Sequence, residues 1–258
     1  MKKYELTTNT KVFDGKTLYQ IRALASFGDV HAGDFGGYIE KEDNLSQAGT
    51  AWVYGNALVS DNAQVYGNAR VYGDAWVYGN AQVCGNALVS DNAWVCGTAR
   101  VSGDARVSGT ARVWGTARVC GDAWVSGTAR VSDNAWVCGT ARVSDNAWVC
   151  GTARVSGDAR VWGTARVCGD ACVSGNADYL TIGPIGSRGD TTTFYRRRDG
   201  GTMVVCGCYH DTIDAFEARV KEVHHGTSHE AAYLAAVACA RARVRTDPED
   251  TNEDTDCV

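Results

Sequence analysis

A six-residue period governs this chain from Ala51 to Ala177. The unit Ala-x-Val-x-(Gly/Asp)-(Asn/Asp/Thr) recurs without a slip, with Val at 53, 59, 65 and every sixth position to Val173. Such a period overrides residue-by-residue propensity, because each unit buries its apolar face only against its neighbours. Ala and Val lie two apart, so an extended backbone points both to one side. The residues flanking Val point the other way: Trp, Arg, Gln, Leu or Cys before it, and Tyr, Ser, Cys or Trp after it. Gly, Asn and Asp then tolerate the left-handed backbone of a corner. Strands this short cannot pair as hairpins. Three units closing a triangle make an 18-residue coil, and stacked coils put Val over Val and Ala over Ala inside a narrow prism. The Ala-marked units suffice for seven coils and one spare side. At about 4.8 Å per coil the prism is roughly 35 Å long.

This pattern resembles the hexapeptide repeat of left-handed parallel β-helices, and the resemblance alone supplies the handedness. The expected fold is mainly β: a single-stranded, three-sided left-handed parallel β-helix of 18-residue coils with a small C-terminal α+β domain. A second resemblance rests on Asp29-Val30-x-Ala32-Gly33-x-x-Gly36-Gly37, then Asn44-Leu45-Ser46-Gln47, then Trp52-Val53-Tyr54. These residues look like the start of the YdcK-like hexapeptide-repeat proteins of bacteria and prophages, over about residues 1–60. That family implies a β-helix of bacterial or phage origin with no assigned activity. YLTIGPIGSRGDTTTF, followed by CGC and a helix, resembles a C-terminal module of phage and prophage proteins.

Four segments follow. Residues 1–36 are an N-terminal β cap, with YELT and TLYQIRAL as strands around an Asp14-Gly15 turn. Residues 37–178 form the β-helix. Ile39 and Leu45 are its irregular first units, and the longer step to Val53 loops out residues around Ser46–Gly49. Residues 179–246 form a small α+β domain that closes the last coil. In it, TTTFYRRR and TMVVCGCY are strands joined at Asp199-Gly200-Gly201. A helix capped by Asp211 or Thr212 carries Ile213, Phe216, Val220 and Val223 on one face. A second, capped by Ser228, turns Tyr233, Leu234, Val237 and Ala238 inward. Residues 247–258 carry six acids and no base, the composition of a disordered tail.

MKKYELTTNT turns polar at once, and no apolar run approaches the ~20 residues of a membrane helix. The eleven cysteines are odd in number and sit mostly at outward repeat positions shared with Ser and Tyr. Both features predict a reducing bacterial cytoplasm, with a virion as the alternative setting. In the three-sided register, Cys120/Cys138 and Cys150/Cys168 fall on adjacent coils, close enough to bridge under oxidation.

The same register gathers Trp76, Tyr78, Trp94, Trp114 and Trp148 on one face. A flat surface with exposed Trp binds something: a second copy, another protein, a terminal domain or a glycan. The alternative is lateral stacking along the coils, with Arg stems over the rings. Ten Arg precede Val on all three faces, with corner Asp residues expected to pair with them. No basic stripe forms, so nucleic acid is not an expected partner.

Many β-helices of the resembled type are acyltransferases acting through a His. The histidines here are 31, 210, 224, 225 and 229, and none lies between Ala51 and Ala177. The repeats therefore lack that general base, and no catalytic residue is expected. Cys206, Cys208 and His210, at alternate positions of one strand, would face one side. With His224, His225 or His229 they offer four soft ligands to zinc, the only cofactor considered. Their alternative is packing as small hydrophobes. Arg188, Arg196, Arg197 and Arg198, beside the Gly-rich GPIGSRGD loop, are a candidate anion site; a solvated strand end is the alternative. The function expected is a non-enzymatic scaffold or binding protein, self-associating through the aromatic face. Its rivals are a glycan-binding phage surface module, an acyltransferase-like enzyme, and a ligand or metal site in the C-terminal domain.

Overall fold

The computed structural model describes residues 2–247. Of the acidic segment, all but Asp247 lies outside the described residues. The chain opens with strands β1 (Tyr4–Phe13), β2 (Lys16–Ala23) and β3 (Phe35–Ile39). Then one two-residue strand forms each side of the prism, from β4 (Trp52–Val53) through β24 (Cys172–Val173). Four antiparallel strands, β25 (Tyr179–Ile185), β26 (Asp190–Arg196), β27 (Thr202–Cys206) and β28 (Tyr209–Thr212), and helices α1 (Ile213–Val223) and α2 (Ser228–Arg243) complete it.

The repeat strands pair in parallel at a separation of one coil, Val53 with Val71 and Val89 with Val107. The result is three columns of seven, one per side. Trp52 N–H donates to Ala69 O (3.0 Å) and Tyr54 N–H to Val71 O (2.8 Å), a pattern repeated up the rod. Every repeat Ala and Val from Ala51 to Val173 is wholly enclosed. This is a three-sided parallel β-solenoid. Ile39 and Leu45 occupy its first, irregular turn, over Val59 and Val65.

Corners are set by backbone conformation. Gly67, Gly73 and their equivalents have φ near +70° (both +72°), the left-handed region. At four corners Asp61, Asp91, Asp133 and Asp145 take Gly's place with φ of 58–60°. Their carboxylates accept the N–H of Gly79, Gly109, Gly151 and Gly163 one coil on, at 3.0, 2.8, 3.0 and 3.1 Å. These four aspartates therefore serve the backbone, and Asp61 also pairs with Lys16. Arg70 pairs with Asp29, outside the repeats, at 2.9 Å.

Both rod ends are covered. At the first coil, Tyr4 and Phe27 pack edge-on against Trp52 (6.0 and 5.3 Å), and the Tyr4 hydroxyl donates to Leu45 O at 2.6 Å. The nearly buried Lys3 ammonium donates to Ala51 O at 2.9 Å, and burial lowers its pKa to about 8. At the last coil, β26 lies across the open edge: Thr193 Oγ1 accepts Arg166 N–H (3.2 Å), and Ala171 bridges to Arg197. The β25–β28 sheet has two apolar faces. Tyr195, Met203 and Val205 continue the prism core, while Phe194, Val204 and Cys206 pack on the helices. Ala236 and Ala240 face inward in α2 where Leu234 and Ala238 were expected to do more, and Thr227, not Ser228, is its N-cap. Val223 ends α1 half-exposed.

Corner stacking makes a test. A Cβ on Gly73 would lie 2.8 Å from Asp91 N, whereas one on Gly55, also at positive φ, meets nothing. Alanine at either site is strained by about 1 kcal/mol. Gly73→Ala adds overpacking of about 1–3 kcal/mol, so its urea midpoint, followed by circular dichroism, should fall well below that of Gly55→Ala.

Candidate functional site

The register places Trp76, Tyr78, Trp94, Trp114 and Trp148 on one side of the rod, the side that β1–β3 extend. They do not form one open face. The β1–β2 hairpin curls over its first coils: the Phe13 ring meets Trp76 edge-on at 4.6 Å, and Lys16 pairs with Asp61. Leu18 and Leu58 complete this cluster, leaving Trp76 9% exposed. Trp76, expected at the surface, is thus the anchor of the chain's own N-terminal hairpin. Tyr78 stacks on it at 4.0 Å and Trp94 lies edge-on at 5.6 Å. A terminal domain is among the occupants expected for this face; the docking of Phe13 itself carries no periodic signal, because the residue flanks a turn.

Farther along, rings and guanidinium groups alternate. Arg112 lies over Trp94 (4.5 Å), Arg166 over Trp148 (5.4 Å), Arg142 over Trp124 (5.6 Å), and both Arg118 and Arg154 over Trp136 (4.9 and 5.1 Å). The indole N–H groups of Trp76, Trp124 and Trp148 reach Ser60, Ser108 and Ser132 on the preceding coil. On the hairpin-covered side, beyond the hairpin, Trp148 is half-buried between Arg130 and Arg166. These three, with Thr128, Asn146 and Thr164, line a shallow groove of about 410 Å3. Cys150 and Cys168, one coil apart on this side, are joined by a disulfide with Cα atoms 4.5 Å apart. Cys120 and Cys138 occupy equivalent stacked positions on another side, where Val119 pairs with Val137.

The other candidate sites come apart. Gly207 (φ +61°) and Cys208 form the β27–β28 turn, so Cys206, Cys208 and His210 do not share a strand. Cys206 faces the helices, 3.7 Å from the Tyr233 hydroxyl. His210 lies on the opposite face at 2.7 Å from the Tyr195 hydroxyl, and Cys208 is exposed at the turn. Among the described residues no group of three or more His, Cys, Asp or Glu is placed to hold a metal ion. The missed signal was Cys-Gly-Cys-Tyr itself, whose Gly breaks the strand.

The four arginines do not converge either. Arg196 is buried and pairs with the fully buried Asp178 at 3.2 Å; Arg197 engages Asp170 (3.1 Å) and Asp199 (2.9 Å). Arg198 reaches Thr152 O, and Arg188 lies at the far end of the sheet, near Gly207. Arg245 also pairs with Asp178 at 2.7 Å, and Ser174 N–H donates to it at 2.8 Å. Burial alone would raise the Asp178 pKa. Hydrogen bonds from Arg245 and Ser174 and the Arg196 charge outweigh it, and the net shift is downward. This is a structural lock that ties the rod, β26 and the end of α2 together.

In the repeats, the side chains that titrate near neutrality in acyl transfer are absent, since no His occupies them. The model of the YdcK β-solenoid repeat matches residues 63–79, 81–97 and 99–115. Residues 63–115 of the rod thus carry YdcK-type repeats. A relative, the "Uncharacterized acetyltransferase YdcK" of Escherichia coli (strain K12), is 38% identical over 77 residues, which are 24% of this chain and 24% of that protein. The chain therefore spans about a quarter of that relative's length. The matched repeats begin at residue 63, beyond the Asp29–Tyr54 motifs.

Two outcomes follow from this geometry. Trp76→Ala should cost about 3–5 kcal/mol and expose the amides of residues 10–18 to hydrogen exchange while the later coils stay protected. For Asp178, the folded pKa lies below the unfolded value, so its contribution is complete above about pH 4 and disappears as pH falls through the depressed value. The protection factors of β26 and β27, taken relative to the intrinsic exchange rate at each pH, should therefore fall in acid. Asp178→Asn should impose the loss already at neutral pH, by about 3–5 kcal/mol, because it strands a buried Arg196.

Proposed function

We propose that this YdcK-like β-solenoid protein is a non-enzymatic binding scaffold, and that its contact surface is the uncovered part of the aromatic side, around Trp114 and Trp148. The observation that carries this reading is the groove in which Trp148 sits between Arg130 and Arg166. A half-buried indole framed by guanidinium groups on a flat, rigid sheet has the composition of an interface centre, where Trp and Arg are enriched. The rod supplies rigidity: the interior of its regular coils holds Val and Ala, and the carboxylates of Asp61, Asp91, Asp133 and Asp145 are held by backbone N–H groups. The favoured occupant is a second copy of the chain.

Acyl transfer is the second reading, favoured by the printed name of the Escherichia coli relative. Against it stand the absence of His in the repeats and the short aligned span.

Light scattering after gel filtration, across a concentration series, tests the scaffold. The wild type should form an oligomer, and Trp114→Ser/Trp148→Ser should dissociate with at least about a tenfold weaker constant and unchanged circular dichroism. A wild type that remains monomeric to high concentration overturns self-association. Turnover of acetyl-CoA by the purified protein, lost on substitution within the rod, would replace the scaffold with an enzyme.

A further inference from the structure

The C-terminal domain contains a second feature that the rod does not use. Where the β25–β26 and β27–β28 turns come together beneath α1, a cleft of about 350 Å3 opens. This lies within the size range of small-molecule sites. Its floor is apolar and aromatic. Phe216 meets Tyr209 at 5.4 Å and Tyr233 edge-on at 5.5 Å, with Val220 and Val223 beside them. The floor is also rigid. A Cβ on Gly186 would fall 1.8 Å from the Tyr233 hydroxyl, so the β25–β26 turn is seated directly on that ring.

Polar side chains line the rest of the cleft, among them Arg188, Asp190, Arg219, His224 and Tyr233. Thr192 Oγ1 donates to Cys206 Sγ (3.2 Å), which donates to the Tyr233 hydroxyl (3.7 Å). Tyr233 itself lines the cleft. Tyr233 stays a neutral donor, because burial first, and then the facing Cys206, push its pKa up to about 12. At the rim stand two opposite charges from one turn, Arg188 and Asp190, each 3.8 Å from the position of a Cβ on Gly207. They line the same cleft, yet neither forms an ion pair with the other among the described residues. The other rim cation, Arg219, is already matched by Glu222 at 2.8 Å. An unmatched cation and anion side by side, above an aromatic floor, are complementary to a molecule carrying both charges at one end and an apolar group at the other.

We propose that this cleft binds a free apolar or aromatic α-amino acid. Its carboxylate meets Arg188 and the Tyr233 hydroxyl, its ammonium meets Asp190, and its side chain lies on Phe216 and Val220. The proposal is independent of the scaffold reading, which concerns the rod.

The test titrates L-phenylalanine into the 15N-labelled full chain, following the amides of Gly186, Gly189 and Gly207. These should shift saturably. 3-Phenylpropionate, which lacks the ammonium, and phenethylamine, which lacks the carboxylate, should each bind at least about tenfold more weakly. Arg188→Gln and Asp190→Asn, at exposed positions that leave the fold intact, should each weaken L-phenylalanine by a similar factor. Val223→Trp, at another exposed position, should block the cleft. No shifts up to about 10 mM ligand would overturn the proposal. So would equal binding of all three probes, or binding that Val223→Trp leaves unchanged.

Discussion

The interior of the regular coils holds only Ala and Val. Three two-residue strands close each coil, and the side chains meeting at the axis must be small and nearly identical from coil to coil. Each wholly buried Val contributes about 1.5–3 kcal/mol before chain entropy is subtracted. No coil can bury its own, so the core exists only as a stack. Everything that varies is pushed outward or to the ends. The repeat is therefore monotonous at Ala and Val and permissive at the two flanking positions, where Trp, Arg, Gln, Tyr, Ser and Cys alternate.

A stack of parallel strands ends in two rows of unpaired backbone groups, and this second constraint explains the terminal segments. The N-terminal end is finished by side chains, with Tyr4 and Lys3 satisfying the carbonyls of Leu45 and Ala51. The C-terminal end is finished by β26, whose Thr193, with Arg197 just beyond the strand, takes the place of the missing next coil. The buried Asp178 belongs to this closure. A carboxylate there is tolerable only because Arg196, Arg245 and backbone N–H groups surround it.

The rod was legible because its signal is periodic and each unit repeats the same instruction. The column containing Trp76, Trp94 and Trp148 follows from counting by eighteen, and so does the proximity of Cys150 to Cys168. What counting cannot show is which surface another segment covers. Phe13 reaching Trp76 depends on the curl of a hairpin, and neither residue announces it. The same limit undid the zinc and anion sites. Cys206 and His210 separate because one Gly reverses the strand between them. Arg196 and Arg197, adjacent in a strand, point to opposite faces, and each meets carboxylates from the last coil or its flank. Charge clusters in sequence become sites only when the backbone turns them to one side.

The arrangement of rings along the rod has a further consequence. In adjacent coils a Trp over a Trp would leave large apolar faces in contact with water at both ends of the stack. Placing an Arg above or below the ring covers it with a stem and a delocalised charge. Trp136, with Arg118 and Arg154 on either side, is closed in this way. Trp148 is covered on the Arg166 side by a guanidinium that also donates to Gly207 O of the C-terminal domain at 3.3 Å. Arg166 is thereby tethered, while Arg130 on the opposite side has no such anchor among the described residues. The groove between them is thus asymmetric: rigid toward the C-terminal domain and adaptable toward the middle of the rod. A partner seated on Trp148 would meet a fixed edge and a movable one, which suits a contact that must form on a rod whose own backbone cannot adjust.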